Sequence, residues 1–376
     1  MAVKSWLTFY VKFINLSTIK YANAMNPLFG TRFKSARLRT GLSLQDLAVR
    51  LENKITRQAL HRYEKGEVTP NSEMIGLLCE IMGVRPDYFF RDTRIELGAL
   101  EYRKLQNLSA RDENRIIEQA REYLSRYLEL EEILGLENHF VNPLKDFGVV
   151  ASFEDVCRAA GRVREQWGLG NSAVVNIAGF LEDMHIKVVE IDIDTHFNGM
   201  QTWVNDSLPV VAYNKNLRGK PDRIRFTLLH ELGHLLLQFG DINEKQKEIL
   251  CHQFAAAALM PETVLKEKLG AHRNRLSMQE LGALKKQYGI SMQAIVRRAV
   301  ECKIVSEHFA RQFFKMIEDM GWKSREPVAY EGVERSFRFD QLLFRAIAEE
   351  QISLSKAAAL KNMRLAEFHE LCMTVA

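Results

Sequence analysis

The sequence predicts an α+β protein that is mostly helical, with one small antiparallel sheet in the second half of the chain. Apolar residues recur at steps of three and four over most of the 376 residues, which is the spacing of helices that bury one face. Three short segments, 186–191, 199–204 and 208–213, are instead rich in β-branched and aromatic residues and are separated by turn residues. A chain of this length is expected to fold as two or three domains.

The overall composition excludes several classes of protein. Hydrophobic residues make up 47% and charged residues 27% of the chain, which is typical of a folded globular protein and not of a disordered or fibrous one. The net charge of +4 is too small to indicate a partner by itself. The five cysteines include no CxxC pair, so we expect neither a disulfide framework nor a thiolate zinc site. This use of cysteine fits a cytoplasmic location. No apolar run approaches the roughly 18 residues that a membrane span needs.

Residues 1–27 are interpreted as an N-terminal extension. Lys4, the apolar stretch 6–11 and the segment 22–24 (Ala-Asn-Ala) imitate a secretory signal peptide with its cleavage site. Lys12, however, interrupts an apolar run that is already shorter than that of a signal peptide. We therefore favour an upstream-start extension or a flexible tail, and a working signal peptide is the alternative.

Residues 28–92 predict a compact helix-turn-helix domain of five short helices. Ser43 caps an apolar-periodic run after the breaker Thr40-Gly41, and a third helix begins near Thr56. The segment 83–86 (Gly-Val-Arg-Pro) ends the fourth helix, before a last turn. This succession of short helices is typical of helix-turn-helix domains.

Charge is distributed unevenly within this domain. Residues 25–65 contain nine Lys or Arg and three acids, whereas residues 66–92 contain two basic residues and five acids. A basic first half that includes the third helix provides what contacts with DNA phosphates need. A solvated helical surface would carry the same charges, so charge alone does not decide between the two interpretations.

Residues 93–141 predict a charged helical connector with an apolar stripe. The stripe follows the heptad spacing of a helix that packs along one seam, through Ile116, Ala120, Tyr123, Tyr127, Leu130 and Leu134. Such a seam either joins two chains in a homodimer or packs inside one chain. We favour internal packing because Ile117, Leu124 and Leu128 widen the apolar face beyond a strict seam.

The strongest chemical signal is the HExxH motif His230-Glu231-Leu232-Gly233-His234. Residues i and i+4 of a helix share a face, so both imidazoles are expected to bind one zinc ion. Glu231 reaches the same region from the adjacent face and suits a general base that takes a proton from the attacking water. Gly233 is unfavourable inside a helix, which suggests that something approaches the helix closely there.

A catalytic zinc site needs a third protein ligand, and the next helix offers Glu244, Glu248 and His252. Glu248 and His252 are four residues apart and share a face, so spacing leaves the choice open. An oxyanion-stabilising group is also expected. His252, Tyr213 and Arg223 are candidates for it, and the sequence does not choose among them.

The stretches SLQDLAVRL and TRQALHRYEKGEVTPNSEMIGLLCEIMGV, within residues 31–90, resemble the lambda-repressor-like (XRE) DNA-binding family. The resemblance implies that the second helix braces the DNA backbone and the third enters the major groove of a double-stranded operator. It implies DNA contacts for Gln45 on the second helix and for Thr56, Arg57, Gln58 and Arg62 on the third. Which of these touches a base is not decided.

The segment HELGH followed by KEILCHQFAAAALMPE resembles the ImmA/IrrE-type metallopeptidase family, whose zinc site is completed by a Glu on the second helix. The resemblance extends over most of residues 150–265 and implies a zincin-like metallopeptidase domain at 142–289. The residue pattern predicts a helical region at 290–376. It implies that Zn²⁺ is bound by His230, His234 and Glu248. His252 stands where the family commonly has Asn, so it is expected beside the metal or against the substrate.

Together the two resemblances predict a DNA-binding transcription regulator with zinc-dependent endopeptidase activity. The family implies that a helix-turn-helix repressor is the protein substrate, cleaved in trans or at this chain's own linker near residues 66–110. A regulator without proteolysis, whose metal domain senses zinc or a small ligand, is the alternative. An antitoxin-like protein that binds another protein through the C-terminal helices is a third.

Overall fold

The computed structural model describes residues 26–91, 95, 97–98 and 108–374. The signal-like segment within residues 1–24 lies outside these ranges, so its interpretation stays a prediction. Among the described residues, no helix combines the length and the apolar character that crossing a membrane requires.

The described chain is mostly helical, which confirms the predicted fold class. In chain order, helices α1 to α16 are Pro27–Thr40, Leu44–Arg50, Arg57–Glu64, Ser72–Met82, Ala110–Ile133, Phe153–Gln166, Ile177–Asp183, Pro221–Leu236, Glu244–Leu259, Glu262–Leu269, Met278–Tyr288, Met292–Glu301, Glu307–Asp319, Arg338–Ala348, Leu354–Lys361 and Leu365–Thr374. Strands β1 to β5 are Val149–Val150, Lys187–Ile191, Gly199–Val204, Leu208–Asn214 and Gln238–Phe239. Short 3₁₀ helices lie at Pro86–Phe90 and Lys215–Leu217.

The described residues form two compact units. The first contains residues 26–91, 110–119 and 354 onward, and the second contains the described part of 95–109 and residues 120–353. Helix α5 contributes to both units. The domain boundaries drawn from the sequence stay predictions.

The first unit contains the helix-turn-helix that the sequence predicts. Ser43 and Asp46 form a capping box that starts α2, and the Thr56 hydroxyl accepts a hydrogen bond from Ala59 N–H at the start of α3. Left-handed Gly41 ends α1, so the turn into α2 follows directly. Fully buried side chains form the core of this domain: Phe29, Phe33, Leu47, Leu60, Leu78 and Phe89.

Four residues of the predicted apolar stripe are fully buried on α5. Ile116, Ala120, Tyr127 and Leu130 are all 0% exposed. The burial of these four residues favours internal packing over a dimer seam. Homodimerisation stays a prediction.

The three main strands form a mixed sheet in the order β2-β4-β3. β3 is antiparallel to β4, as expected, but β2 is parallel to β4. The predicted antiparallel sheet is corrected in this respect. The strands alternate in direction along the chain, and β4 inserts between β2 and β3 instead of lying at an edge. All seven residues of β4 are buried, and its central position pairs both of its edges with neighbouring strands.

Helices α8 and α9 pack closely against each other in the second unit. A Cβ added at Gly233 of α8 would lie 3.2 Å from Cδ1 of Phe254 and 3.4 Å from Sγ of Cys251, both on α9. The close approach expected at Gly233 is therefore that of α9. This contact brings the HExxH helix and the helix that carries the third candidate ligand within reach of one metal ion.

Candidate metal centre and DNA-binding surface

Helix α8 directs two imidazoles toward the same region. Pro221 occupies the first turn, where its fixed φ favours helix initiation, and ten of the helix's residues are buried. His230 and His234 lie one turn apart, and their ring centroids are 5.0 Å apart. The spacing therefore places both rings on one face of the helix, as the motif predicts.

The Glu248 carboxylate lies between these two rings. Its Oε2 is 3.2 Å from Nε2 of His230, and its Oε1 is 3.2 Å from Nε2 of His234. An Asn243 capping box starts α9 and fixes the helix five residues before Glu248. The structure thus brings together the three side chains that the resemblance implies as zinc ligands.

His252 lies one turn further along α9 and is as close to the group as a ligand would be. Its ring centroid is 4.3 Å from that of His230. The donor atoms of His230, Glu248 and His252 all lie within 4.8 Å of one another. We expected His252 beside the metal and not on it, but the geometry offers both His234 and His252 as companions to His230 and Glu248.

The donor chemistry of this group fits a zinc ion. Imidazole nitrogen and carboxylate oxygen are the donors of many catalytic zinc sites, in which three protein ligands leave a position for water. Sequence reasoning excluded a thiolate site, and a His and Glu donor set requires none. These residues would therefore hold the metal.

Glu231 is buried beside the start of β3. It is 3% exposed, and a Cβ added at Gly199 would lie 3.1 Å from its Cγ. The same Cβ would lie 2.5 Å from Cγ2 of Thr227, the residue one turn earlier on α8. Glycine at position 199 therefore permits the strand to pack directly on the helix and restricts the space in which Glu231 moves.

The three candidates for oxyanion stabilisation are not in equivalent places. The Tyr213 hydroxyl donates to Oε2 of Glu190 at 3.2 Å, and Arg218 binds the same carboxylate at 2.7 Å. Burial, followed by the charge of Glu190, raises the pKa of Tyr213. Arg223 and His252, in contrast, line one cleft. The geometry favours these two over Tyr213.

The five residues predicted to contact DNA are all exposed: Gln45, Thr56, Arg57, Gln58 and Arg62. Thr56 is the N-cap of α3, so its hydroxyl oxygen accepts a backbone hydrogen bond. Nε of Arg62 lies 3.3 Å from Oε2 of Glu67, an exposed pair that costs little to separate. The arrangement leaves the outer face of α3 accessible to a DNA groove.

Sequence reasoning missed the buried arginine that braces α8. Arg225 is 0% exposed, hydrogen-bonds to the Val174 carbonyl and the Tyr330 hydroxyl, and lies 3.4 Å from Glu334. The partner residues are about 50 to 110 positions away in the chain, so no local sequence pattern predicts these contacts. This brace fixes the helix that carries the HExxH motif.

Comparison with known proteins agrees with both halves of this description. Residues 33–89 match the family described as Helix-turn-helix, and residues 181–300 match the IrrE N-terminal-like domain. The chain is 40% identical over 67 residues to the radiation response metalloprotease IrrE of Deinococcus radiodurans, a match that covers 14% of this chain and 20% of that protein. The chain therefore carries an XRE-type helix-turn-helix DNA-binding domain followed by an IrrE- and ImmA-like metallopeptidase domain.

Proposed function

We propose that this protein is a DNA-binding transcription regulator and a zinc-dependent endopeptidase that cleaves a helix-turn-helix repressor. The observation that carries the proposal is the placement of the Glu248 carboxylate at 3.2 Å from both His230 and His234. The D. radiodurans relative is named as a metalloprotease, which supports a hydrolytic role. We expect the protein to act in the cytoplasm.

The roles of the residues follow from their positions. His230, His234 and Glu248 would hold the zinc ion, which, when bound, supplies Lewis-acid polarisation of a peptide carbonyl. Glu231 takes the proton of the attacking water and returns it to the leaving amine. Its burial against Gly199 holds the carboxylate in one place, which favours proton transfer over a defined distance.

The helix-turn-helix would direct the protein to an operator. Exposed Arg57 and Arg62 can reach guanine edges or phosphates, and Gln45 and Gln58 can pair with adenine. Both arginines and the excess of basic residues in the first half of this domain favour binding that weakens as salt rises.

A contact of the chain with itself places part of its own linker on the strand whose other end lies beside Glu231. Leu97 pairs antiparallel with Val204, and Gly98 N–H donates to the Trp203 carbonyl at 2.7 Å. These contacts lie at one end of β3, and Gly199 at the other end lies against Glu231. The six residues of that strand span about 17 Å. The linker near residues 66–110 is therefore a second candidate beside a repressor supplied in trans.

Metal analysis combined with cleavage assays tests the proposal. We expect one equivalent of zinc in the purified protein and cleavage of a repressor encoded beside its gene. Glu231→Gln should keep the zinc and stop the cleavage, whereas Glu248→Gln should lose zinc and Glu244→Gln, on the same helix, should not. A cut in cis follows first-order kinetics, with a rate constant that does not depend on protein concentration. Cleavage that survives in Glu231→Gln would remove that residue from its role.

The alternative is a regulator that senses zinc without proteolysis. The same donor group would then alter operator affinity, and no repressor would be cut. An antitoxin-like binding protein would show neither effect and would instead bind another protein through the C-terminal helices.

A further inference from the structure

The candidate metal group borders a cleft with two arms, of which one contains more basic side chains than the other. The arms have volumes of about 570 and 620 Å³. They share Phe226, His252, Gln293, Ala294 and Lys323. Since the donor atoms of His252 lie within 4.8 Å of those of His230 and Glu248, the arms meet beside the metal group. A polypeptide bound along both arms therefore passes that group.

The smaller arm, called here the apolar arm, has an apolar floor. Ile249 is 47% exposed in it, an unusual exposure for isoleucine, and Phe314 and Ile317 face it from α13. Two of its polar groups bond to each other, because Nε2 of Gln253 donates to Oε1 of Glu301 at 2.8 Å. Arg298 is buried and donates to the Met260 carbonyl, and Arg297, Glu318 and Lys323 are the other charged residues of the lining. This arm suits a large apolar side chain, which would cover Ile249.

The larger arm, called here the basic arm, contains five Lys or Arg and two acids. The two acids are engaged by one lysine, since Nζ of Lys285 lies 2.7 Å from Asp222 and 2.8 Å from Glu326. The other four cations are exposed, and none forms an ion pair with another described residue: Lys220, Arg223, Lys323 and Arg325. This excess of positive charge complements an acidic ligand.

One wall of the basic arm is firmly anchored. It belongs to residues 320–337, called here the strap, which joins α13 to α14. Glu326 accepts hydrogen bonds from the backbone N–H groups of Met292 and Gln293 at 2.9 and 3.0 Å. Tyr330 bonds to buried Arg225 further along the strap. The basic arm is therefore formed before a ligand binds, which lowers the entropy cost of binding.

We propose that the substrate binds as an extended polypeptide with acidic side chains in the basic arm and a large apolar side chain in the apolar arm, on opposite sides of the cleaved bond. The inference rests on the proposed peptidase function, because that function makes the substrate a polypeptide. A substrate in an extended conformation can occupy both arms, since the two arms meet at His252. Lys220, Arg223, Lys323 and Arg325 then determine specificity.

Binding of defined peptides to the zinc-loaded Glu231→Gln variant tests this inference without turnover. The probe is a fluorescein-labelled Gly-Ser dodecapeptide with three Asp on one side of its centre and Leu on the other, made in both orders and read by fluorescence anisotropy. One order should bind about tenfold more tightly than the same peptide with Lys for Asp or with Ser for Leu. Added salt should remove the difference between Asp and Lys. Equal binding of all the peptides would overturn the inference.

Charge reversal assigns the effect to the basic arm. Lys220→Glu combined with Arg325→Glu, in the same background, should abolish the preference for Asp. The milder pair Lys220→Gln and Arg325→Gln, which adds no acid beside Glu326, should weaken it. Arg311→Glu with Lys315→Glu changes the same charge at exposed positions of α13 outside both arms and should leave the preference intact. An equal loss in this control pair would contradict the assignment.

Cleavage by the wild-type protein, compared with peptide binding by Glu231→Gln, distinguishes failure of the specificity proposal from failure of the peptidase function. If a proteome-derived peptide mixture is cut at sites without acidic and apolar enrichment, the peptidase stands and the specificity proposal fails. If nothing is cut while Glu231→Gln still prefers the acidic probe, the cleft preference stands and the peptidase function fails.

Discussion

At the scale of single residues, two histidines are placed to complete the candidate metal site. His234 lies 3.2 Å from the Glu248 carboxylate, and His252 shares a 4.8 Å donor cluster with His230 and Glu248. A catalytic zinc site takes three protein ligands, so one of the two is expected to act on substrate or water instead.

We predict that His234→Asn loses zinc and His252→Asn retains it. The HExxH helix presents His230 and His234 on one face, whereas His252 is exposed toward the cleft. Metal content measured by atomic emission after dialysis against a weak chelator gives the comparison. The opposite pattern would make His252 the ligand.

Gly199→Ala should damage both stability and hydrolysis. The new Cβ would lie 2.5 Å from Cγ2 of Thr227 and 2.9 Å from the Ala212 carbonyl oxygen, so β3 must move away from α8. Overpacking of this kind costs about 1–3 kcal/mol of the free energy of unfolding. The displacement also moves the wall against Glu231, so the cleavage rate should fall more than the folded fraction does.

Gly161→Ala is the matched control, because a Cβ there meets nothing within 4 Å. It lies inside α6 and should stabilise the protein by roughly 0.5–1 kcal/mol through helix propensity. Urea denaturation and single-turnover cleavage of both variants make the comparison. Equal behaviour of the two would show that the strand tolerates the methyl group.

At the scale of elements, α3 is the predicted reading helix. Arg57→Ala should weaken operator binding by about 1–3 kcal/mol if the guanidinium reads a guanine, and should relax the preference at that base pair. Lys34→Ala removes an exposed charge from α1 and serves as the control. Anisotropy titrations with operator variants measure the change, and an equal loss in both variants would indicate charge alone.

The strap makes stability depend on pH. Burial, partly offset by Arg225, raises the pKa of Glu334 to about 7 from an ordinary 4.5, and its Oε2 accepts hydrogen bonds from Ile177 and Ala178 N–H. The folded state then holds a proton that the unfolded state releases between these two values. Its contribution to the free energy of unfolding is complete below pH 4.5 and is lost as pH rises to about 7.

Thermal melts from pH 5 to pH 8 test the predicted contribution of Glu334 to the pH dependence of stability. The wild type should lose more Tm over that range than Glu334→Gln, whose side chain carries no proton to release. Glu331→Gln, an exposed change on the same strap, should behave like the wild type. Parallel curves for the wild type and Glu334→Gln would contradict a raised pKa.

At the scale of the whole molecule, one chain combines a helix-turn-helix domain and an IrrE-like metallopeptidase domain. The core of the helix-turn-helix contains apolar and aromatic side chains and none of the metal-group residues. We therefore expect the two activities to be separable by metal removal.

Chelation by 1,10-phenanthroline should abolish cleavage and leave operator affinity unchanged within about twofold. Zinc should restore cleavage on readdition. Anisotropy with the DNA upstream of the gene and gel assays of the repressor report the two activities in the same samples. Operator affinity that follows the zinc concentration, without cleavage, would favour the sensor.

The sequence by itself determined the local features. Helices such as α6 and α8 follow from local signals, the Ser152 capping box and Pro221 in the first turn, because caps, prolines and apolar spacing act over a few residues. The same short range applies to His230 and His234, since one helical turn sets their common face, and Glu231 follows on the adjacent face. The helix-turn-helix was also predicted from local sequence signals, and the residues predicted to contact DNA are all exposed.

Only the tertiary structure decided how distant segments meet. The insertion of β4 between β2 and β3, the Arg225 brace to Tyr330 and Glu334, and the position of His252 beside His230 all join residues far apart in the chain. Burial and hydrogen bonding between such partners are properties of the packed interior. A periodic pattern states which face of a helix is buried, but not which side chain lies opposite it.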